Sequence, residues 1–467
     1  MAQRTDPATT SMKTVLVITY VFPPAAYVGV HRVLRLCRYA TQYGWNPVVV
    51  APRPDGVEFI DGNLSARVPA EVIVRRTPDV DPAKWLARRS PRPKPTNGGG
   101  ASAPTPHRRR EAVFVRPLRW LKHTVRDLLT GMPDSHIFWV PFAVAAGARI
   151  LLSRSVDLIF CSTPPHSAAF AAFILSVLFR KPYALDFRDP WLGKSGRRFS
   201  ACKSRWLLRM ENAARHRLLT RASLIVTVSP GERQELLEDV PALAPERVVC
   251  VTNGYDPQDF PPRSPAPRKR DPRLVMTHTG TVYGGTAGEL FAALESLLEE
   301  TPGFERNLEL NLVGEIDPEY DQPVRRLRER GIIRTHGLRP HAEALTWAMQ
   351  GDVLLILLGG DRFLGSHLPA KTFEYLHLGN PILAVAREGD VSRMLQESGH
   401  GIVVRPHDVD ALKQTIRRLC DAKRTGYPVV HPDPRYAAQF EAAQLIRRMA
   451  GFLNQALLQS PRTGAST

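Results

Sequence analysis

Short apolar runs alternate with helix-period segments from Thr14 to Val404. Near-continuous apolar strands separated by crossover helices are what a parallel sheet covered on both faces requires, so the chain reads as α/β. In the first half the expected strands are Thr14–Thr19, Pro47–Ala51, Val72–Arg75, Leu158–Ser162, Tyr183–Asp186, Leu224–Val228 and Val248–Thr252. A second series follows: Leu274–Thr279, Leu308–Val313, Ile333–His336, Val353–Leu357, Ile382–Val385 and Gly401–Val404. Two doubly wound, Rossmann-like domains facing across a cleft are expected, at 1–256 and 273–435, with a proline-rich linker at 257–272. Residues 436–467 read as a C-terminal helix, free to cross back to the first domain, and a tail. Residues 88–107 have almost no apolar content and cannot offset their ordering entropy, which predicts a disordered basic insertion.

At 467 residues, 43% hydrophobic and 23% charged, the composition excludes wholesale disorder, collagen and coiled coil. Five cysteines stand apart at 37, 161, 202, 250 and 420 without CxxC or paired histidines, so neither a disulfide framework nor a zinc site is signalled, and a reducing cytoplasm fits. The run Val15 to Phe22 is short for a signal-peptide core and reads as a first strand. The nearest approach to a membrane span, Phe138 to Leu152, is interrupted by Pro141 and Arg149.

In doubly wound sheets ligands collect beyond the carboxyl ends of strands. In Leu368–Pro381 a helix is expected from the turn at Pro369 to Leu378, with Gly379 as its C-cap. Lys371 and Glu374 then share a face near its N-terminus, where a lysine suits a diphosphate and a carboxylate one turn on suits ribose hydroxyls; a solvated ion pair is the bland alternative. Gly29 and Gly280 follow strands, where a missing side chain lets a diphosphate approach backbone amides; each also reads as a turn glycine. Asp186, Arg188 and Asp189 follow a first-domain strand and are expected to point into the cleft, the alternative being an internal Asp189–Arg188 ion pair that only fixes the loop.

The segment PAKTFEYLHLGNPIL (369–383) resembles the donor-site helix of the GT-B retaining glycosyltransferases of family 4, the group-1 glycosyltransferases. Tyr20–Pro24 with Val28–Arg32, Ser162–Ser167, Asp186–Trp191, Asn253–Asp256 and Thr279–Thr281 are similar to further family loops in the same order, those at 162 and 186 matching a bacterial surface-polysaccharide branch. The resemblance implies a GT-B fold and transfer of a sugar from a nucleotide diphosphate sugar to a hydroxyl of a lipid-linked or polysaccharide acceptor, with retention and without metal or other cofactor. It implies donor contacts at Gly29, Gly280, Thr281, Leu338, Lys371 and Glu374, with Gly337-Leu338 as the base-binding loop. Arg188 stands where many members have a histidine and would act as an electrostatic clamp beside Asp189. Ser366 replaces the first acid of the E-x7-E motif, and no arginine follows the Thr279-Gly280 loop near Thr286, so Arg362 or Arg339 would have to substitute. An inactive homologue and a GT-B sugar-nucleotide epimerase are the alternatives within this fold. Asp79-Val80-Asp81 and Asp408-Val409-Asp410 imitate a metal-binding DxD, but the first lies in a loop and Asp408 reads as an N-cap.

The net charge of +18 sits in two windows, residues 84–126 and 193–217. Arg116 to Leu129 has a basic face formed by Arg116, Arg119, Lys122 and Arg126 beside an apolar one. Residues 108–129 and 194–217 are thus candidates to hold the protein against the anionic inner face of a cell membrane, a core-packed helix being the alternative. Nucleic-acid binding is the rival from another class; charge confined to two windows, with no RNP, zinc-finger or KH pattern, argues against it.

Overall fold

The computed structural model describes residues 12–27, 29–55, 57, 59–80, 133–191, 205–262, 272–360 and 365–459. Seven parallel strands, β1 (Lys13–Thr19), β2 (Trp45–Pro52), β3 (Ile73–Thr77), β4 (Leu158–Thr163), β5 (Tyr183–Phe187), β6 (Leu224–Thr227) and β7 (Val248–Cys250), form a sheet in the order β3-β2-β1-β4-β5-β6-β7. Six more, β8 (Leu274–Thr279), β9 (Leu308–Val313), β10 (Ile333–Thr335), β11 (Val353–Leu357), β12 (Ile382–Val385) and β13 (Gly401–Val404), form a second parallel sheet in the order β10-β9-β8-β11-β12-β13. Both sheets reverse their winding beside their first strand, and such switch points open a crevice at the carboxyl edge.

Every expected strand is present. Strand β3 is displaced from the expectation, ending at Thr77 instead of Arg75, because it pairs with β2 through Pro52↔Thr77 and the Thr77 hydroxyl accepts from the Trp139 indole at 2.7 Å. It is an edge strand with one open face, so its polar RRT tail carries no apolar signal.

The helices that position the site are α1 (Val30–Tyr39), α2 (Val140–Ser153), α3 (Ala168–Phe179), α4 (Arg205–Arg221) and α5 (Pro230–Asp239) on the first sheet. On the second they are α6 (Gly288–Glu300), α7 (His341–Gln350), α8 (Lys371–Leu378), α9 (Asp390–Glu397) and α10 (Val409–Thr425), the last capped by Asp408 accepting from Ala411 N–H at 2.9 Å. The final helix, α11 (Ala442–Gln459), crosses back: Leu445, Ile446, Met449 and Leu453 pack with Val33, Leu36, Val15 and Val17 on the first sheet. Residues Ser135–Ser153 are long and apolar enough to span a membrane by length and composition alone, although the notched sequence argues otherwise; Trp139, Ala143 and Ile150 lie in the core of the first domain.

The start of the expected linker is built structure. Arg35 donates to Asp259 at 3.0 Å and to the Gly254 carbonyl at 2.6 Å, while Arg67 donates to the other Asp259 oxygen at 2.5 Å. Arg38 and Tyr39 both bind the Asp256 carboxylate, which also caps the turn Pro257–Asp259. These ion pairs clamp residues 254–259 onto α1; residues 263–271 of the linker, the 88–107 insertion and the basic stretch 108–129 lie outside the described residues.

Candidate functional site

Helix α8 begins at Lys371, two residues after Pro369, because the Thr372 amide still closes a turn on the Pro369 carbonyl. It ends at Gly379, whose φ of +80° lets its amide reach the Tyr375 carbonyl. Phe373, Tyr375 and Leu376 bury one face, which leaves Lys371 and Glu374 on the cleft side. The Tyr375 hydroxyl accepts from the Thr279 amide and pairs with its hydroxyl, both at 3.0 Å, tying α8 to the loop after β8. That loop turns through Gly280 at φ +98°, with its carbonyl against Gly314, where a Cβ would come within 2.3 Å. The positive φ favours glycine there, and a Cβ on Gly280 would also sit 2.9 Å from the Lys371 ammonium and displace it.

The Lys371 Nζ lies 3.2 Å from Nε2 of the buried His278, whose Nδ1 lies 3.0 Å from the Leu355 carbonyl. A carbonyl only accepts, so Nδ1 carries the proton and Nε2 turns a lone pair to the ammonium. Burial, reinforced by the Lys371 charge, drives the His278 pKa down to about 3. Burial lowers that of Lys371 to about 8, opposed by Glu374. A lysine in this position gains most from an anion, because a bound phosphate restores the charge partner that water has been prevented from supplying. Thr281 follows, its backbone against the His278 ring.

One turn on, Glu374 accepts from His341 Nε2 at 2.8 Å. Burial lowers the His341 pKa, but Glu374 and Asp259 outweigh it and leave the imidazole above its ordinary range. The His341 ring lies 4.3 Å from that of His31 at the start of α1, so His31, His341 and Glu374 form a file from one domain into the other. Burial, then the neighbouring His341 and Arg35, hold His31 well below the ordinary range. His31, Asp259 and His341 are close enough to hold a cation. Both Asp259 oxygens are already taken by Arg35 and Arg67, however, and the cluster reads as part of the α1 clamp.

On the opposite wall Arg188 donates to the Thr163 carbonyl at 3.1 Å and to that of Pro164. Its guanidinium fills the space beside Gly29, where a Cβ would lie 1.2 Å from Nη1. The glycine therefore admits an arginine, and a phosphate at this end of α1 would meet that cation before any amide. Asp186 corrects the expectation: it lies inside β5, fully buried, held by Nε and Nη2 of Arg32 at 2.7 to 3.0 Å and by the Ser162 hydroxyl at 2.9 Å. Asp189 is exposed at the cleft wall.

Ser366 joins the domains. Its hydroxyl donates to Glu235 on α5 at 2.6 Å, and its carbonyl accepts from Ser229 at 2.7 Å. Beside it the Gly231 amide donates to Asp390 at 2.8 Å. Leu338 is half exposed beyond β10, where the His336 ring meets that of Trp347 at a tilt, with 3.8 Å between centroids. Arg339 is turned to the His336 carbonyl and Glu343, not to Lys371, and Arg362 lies outside the described residues. The structure thus brings Gly280, Thr281, Lys371 and Glu374 into one group and sets Gly29, Arg188 and Asp189 on the facing domain. Sequence reading passed over His278, His341 and Glu235. A histidine inside an apolar strand, as in THTG, is the one signal that marked any of them.

Residues 29–254 match a family model described as a glycosyl transferase 4-like domain. No curated protein sequence matches the chain. Among solved structures, Anabaena HepE in complex with UDP is similar over 95% of this chain and 100% of its own, at 14% identity and a TM-score of 0.55. A glycosyltransferase from Rickettsia africae ESF-5 is similar over 96% and 99%, at 13% identity and 0.55. The lipopolysaccharide outer core galactosyltransferase WaaB is similar over 96% and 99%, at 13% and 0.52. The fold is GT-B.

Proposed function

We propose that this glycosyltransferase, GT-B in fold with a glycosyl transferase 4-like domain at 29–254, transfers a sugar from a UDP-sugar to a hydroxyl of a lipid-linked or polysaccharide acceptor in cell-surface polysaccharide synthesis. The observation that carries the donor reading is the Lys371 ammonium set between the Gly280 loop and a neutral His278 at the N-terminus of α8. Solved neighbours hold UDP and UDP-glucose in the same fold, which supports uridine as the base.

In this reading Lys371 and the Gly280-Thr281 loop neutralise the diphosphate as it leaves, and Glu374 exchanges its His341 partner for ribose hydroxyls. Leu338 borders the base. Arg188 and Asp189 act from the acceptor side, and Ser366 with Glu235 meets the sugar where the domains touch. Transfer proceeds with retention and without a metal, at the inner face of the cell membrane.

Calorimetry with UDP, GDP, dTDP and ADP tests the donor site, with UDP expected to bind and Lys371→Ala to abolish most of that binding. NMR of the transfer product reads the anomeric outcome. Epimerised UDP-sugar appearing without an acceptor, or no UDP binding at all, would overturn the reading.

A further inference from the structure

Helix α3 (AAFAAFILSVLF) contains no charged residue, and an all-round apolar helix belongs in a core or against another apolar phase. It is nonetheless a surface helix. Its inner side, Ala168, Ala169, Ala172 and Leu175, packs in the first-domain core, while Val177 is 53% exposed, Leu178 64% and Ile174 at the margin of exposure. Its neighbour α2 repeats the pattern: only 28% of its most apolar stretch is buried, and Leu152 near its end is 78% exposed. Both helices run back from the carboxyl to the amino ends of the strands, so Leu152, Val177 and Leu178 gather at the edge of the sheet away from the cleft.

The charges that the two helices and their ends carry have one sign. Residues 140–156 and 168–182 contain Arg149, Arg154, Arg180 and Lys181 and no acid. The three arginines are exposed. The acids that flank these segments in the chain are turned inward: Asp134 accepts from the amides of His136 and Ser167, and Asp157 from that of Thr14. Aliphatic side chains ringed by cations complement an anionic bilayer surface, where the former enter the acyl boundary and the latter meet headgroup phosphates.

We infer that the outer face of α2 and α3 is a membrane-docking surface for anionic phospholipid. It is distinct from the basic stretches 108–129 and 194–217 and independent of the donor assignment. The cleft lies at the other edge of the sheet, open to soluble nucleotide sugar, so of the two proposed acceptors this docking suits the polysaccharide, since a lipid-linked one would have to reach round the domain.

The test is sedimentation of the full chain with vesicles of phosphatidylcholine, with and without phosphatidylglycerol. Binding is expected only with phosphatidylglycerol, and weakened by salt. Ile174→Ser with Val177→Ser and Leu178→Ser, and separately Arg149→Gln with Arg154→Gln, Arg180→Gln and Lys181→Gln, should each lower partitioning at least about tenfold. Melting temperature and UDP affinity should stay unchanged in both. Absence of wild-type binding, or binding unchanged in both variants, overturns the inference, the latter assigning contact to the other basic stretches. A lowered melting temperature in the serine variant means that the chain itself covers the patch, and a wild-type dimer that this variant dissociates means that a second copy does; either result also overturns it.

Discussion

With its pKa drawn down to about 8, the Lys371 amine sheds its proton just above neutral pH unless an anion lies against it. Only the protonated form attracts a diphosphate, so UDP affinity measured by calorimetry should be constant below that pH and fall by up to about tenfold per unit above it. Lys371→Ala and Glu374→Ala should each lose about 1.5 to 3 kcal/mol of UDP binding, one charge-assisted contact, with the melting curve preserved. Arg188 stands on the other domain, and Arg188→Ala should lower turnover with little change in UDP affinity; steady-state kinetics beside calorimetry separates the two. His278 sets an acid limit. Its folded pKa of about 3 lies below the ordinary 6.5, so the unfolded chain binds the extra proton, and this contribution to stability is complete above pH 6.5 and lost as pH falls from there toward 3. Urea melts across that range should show the decline, and His278→Gln should flatten it. The Lys371–Glu374 spacing was legible in the sequence because a helix imposes it locally. His278 and His341 were not, since each owes its role to a partner far along the chain, Lys371 to the one and the facing His31 to the other.

Helix α1 carries Arg32, Arg35 and Arg38 three residues apart. Each is largely buried against a carboxylate from a distant segment: Asp186, Asp259 and Asp256. The strands around it were readable because their own side chains announce burial, whereas an arginine announces nothing about whether its counter-ion waits in water or more than a hundred residues away. The three ion pairs should respond unequally. Arg32→Ala strips the fully buried Asp186 of its ion-pair partner, and urea denaturation should register a loss of about 3 to 5 kcal/mol. Arg35→Ala should cost less, because Arg67 still holds Asp259. Equal losses would show that Arg67 contributes nothing to the clamp.

At the scale of the whole molecule, the domains meet through Ser229 and Ser366, Ser366 and Glu235, and Gly231 and Asp390, three contacts beside the proposed sugar position. Removing two of them with Ser229→Ala and Asp390→Ala should widen the distribution of interdomain distances in small-angle scattering while each domain keeps its own melting transition. The two-domain plan was legible from the strand series, but which loops touch across the cleft was not, for no local pattern marks Ser366 as a neighbour of Glu235. Helix α11 is the other long-range tie. It lays Leu445, Ile446, Met449 and Leu453 on the first sheet, at about 1.5 to 3 kcal/mol for each such side chain fully buried, which together rivals the net stability of a domain. During synthesis β7 leaves the ribosome roughly 190 residues before this helix does, a delay of about 10 to 40 s at ordinary elongation rates. For that interval the nascent first domain exposes an oily flank that its own missing last helix would cover, which makes it a client for holdase chaperones and makes the finished molecule fold as a ring closed by its final turn.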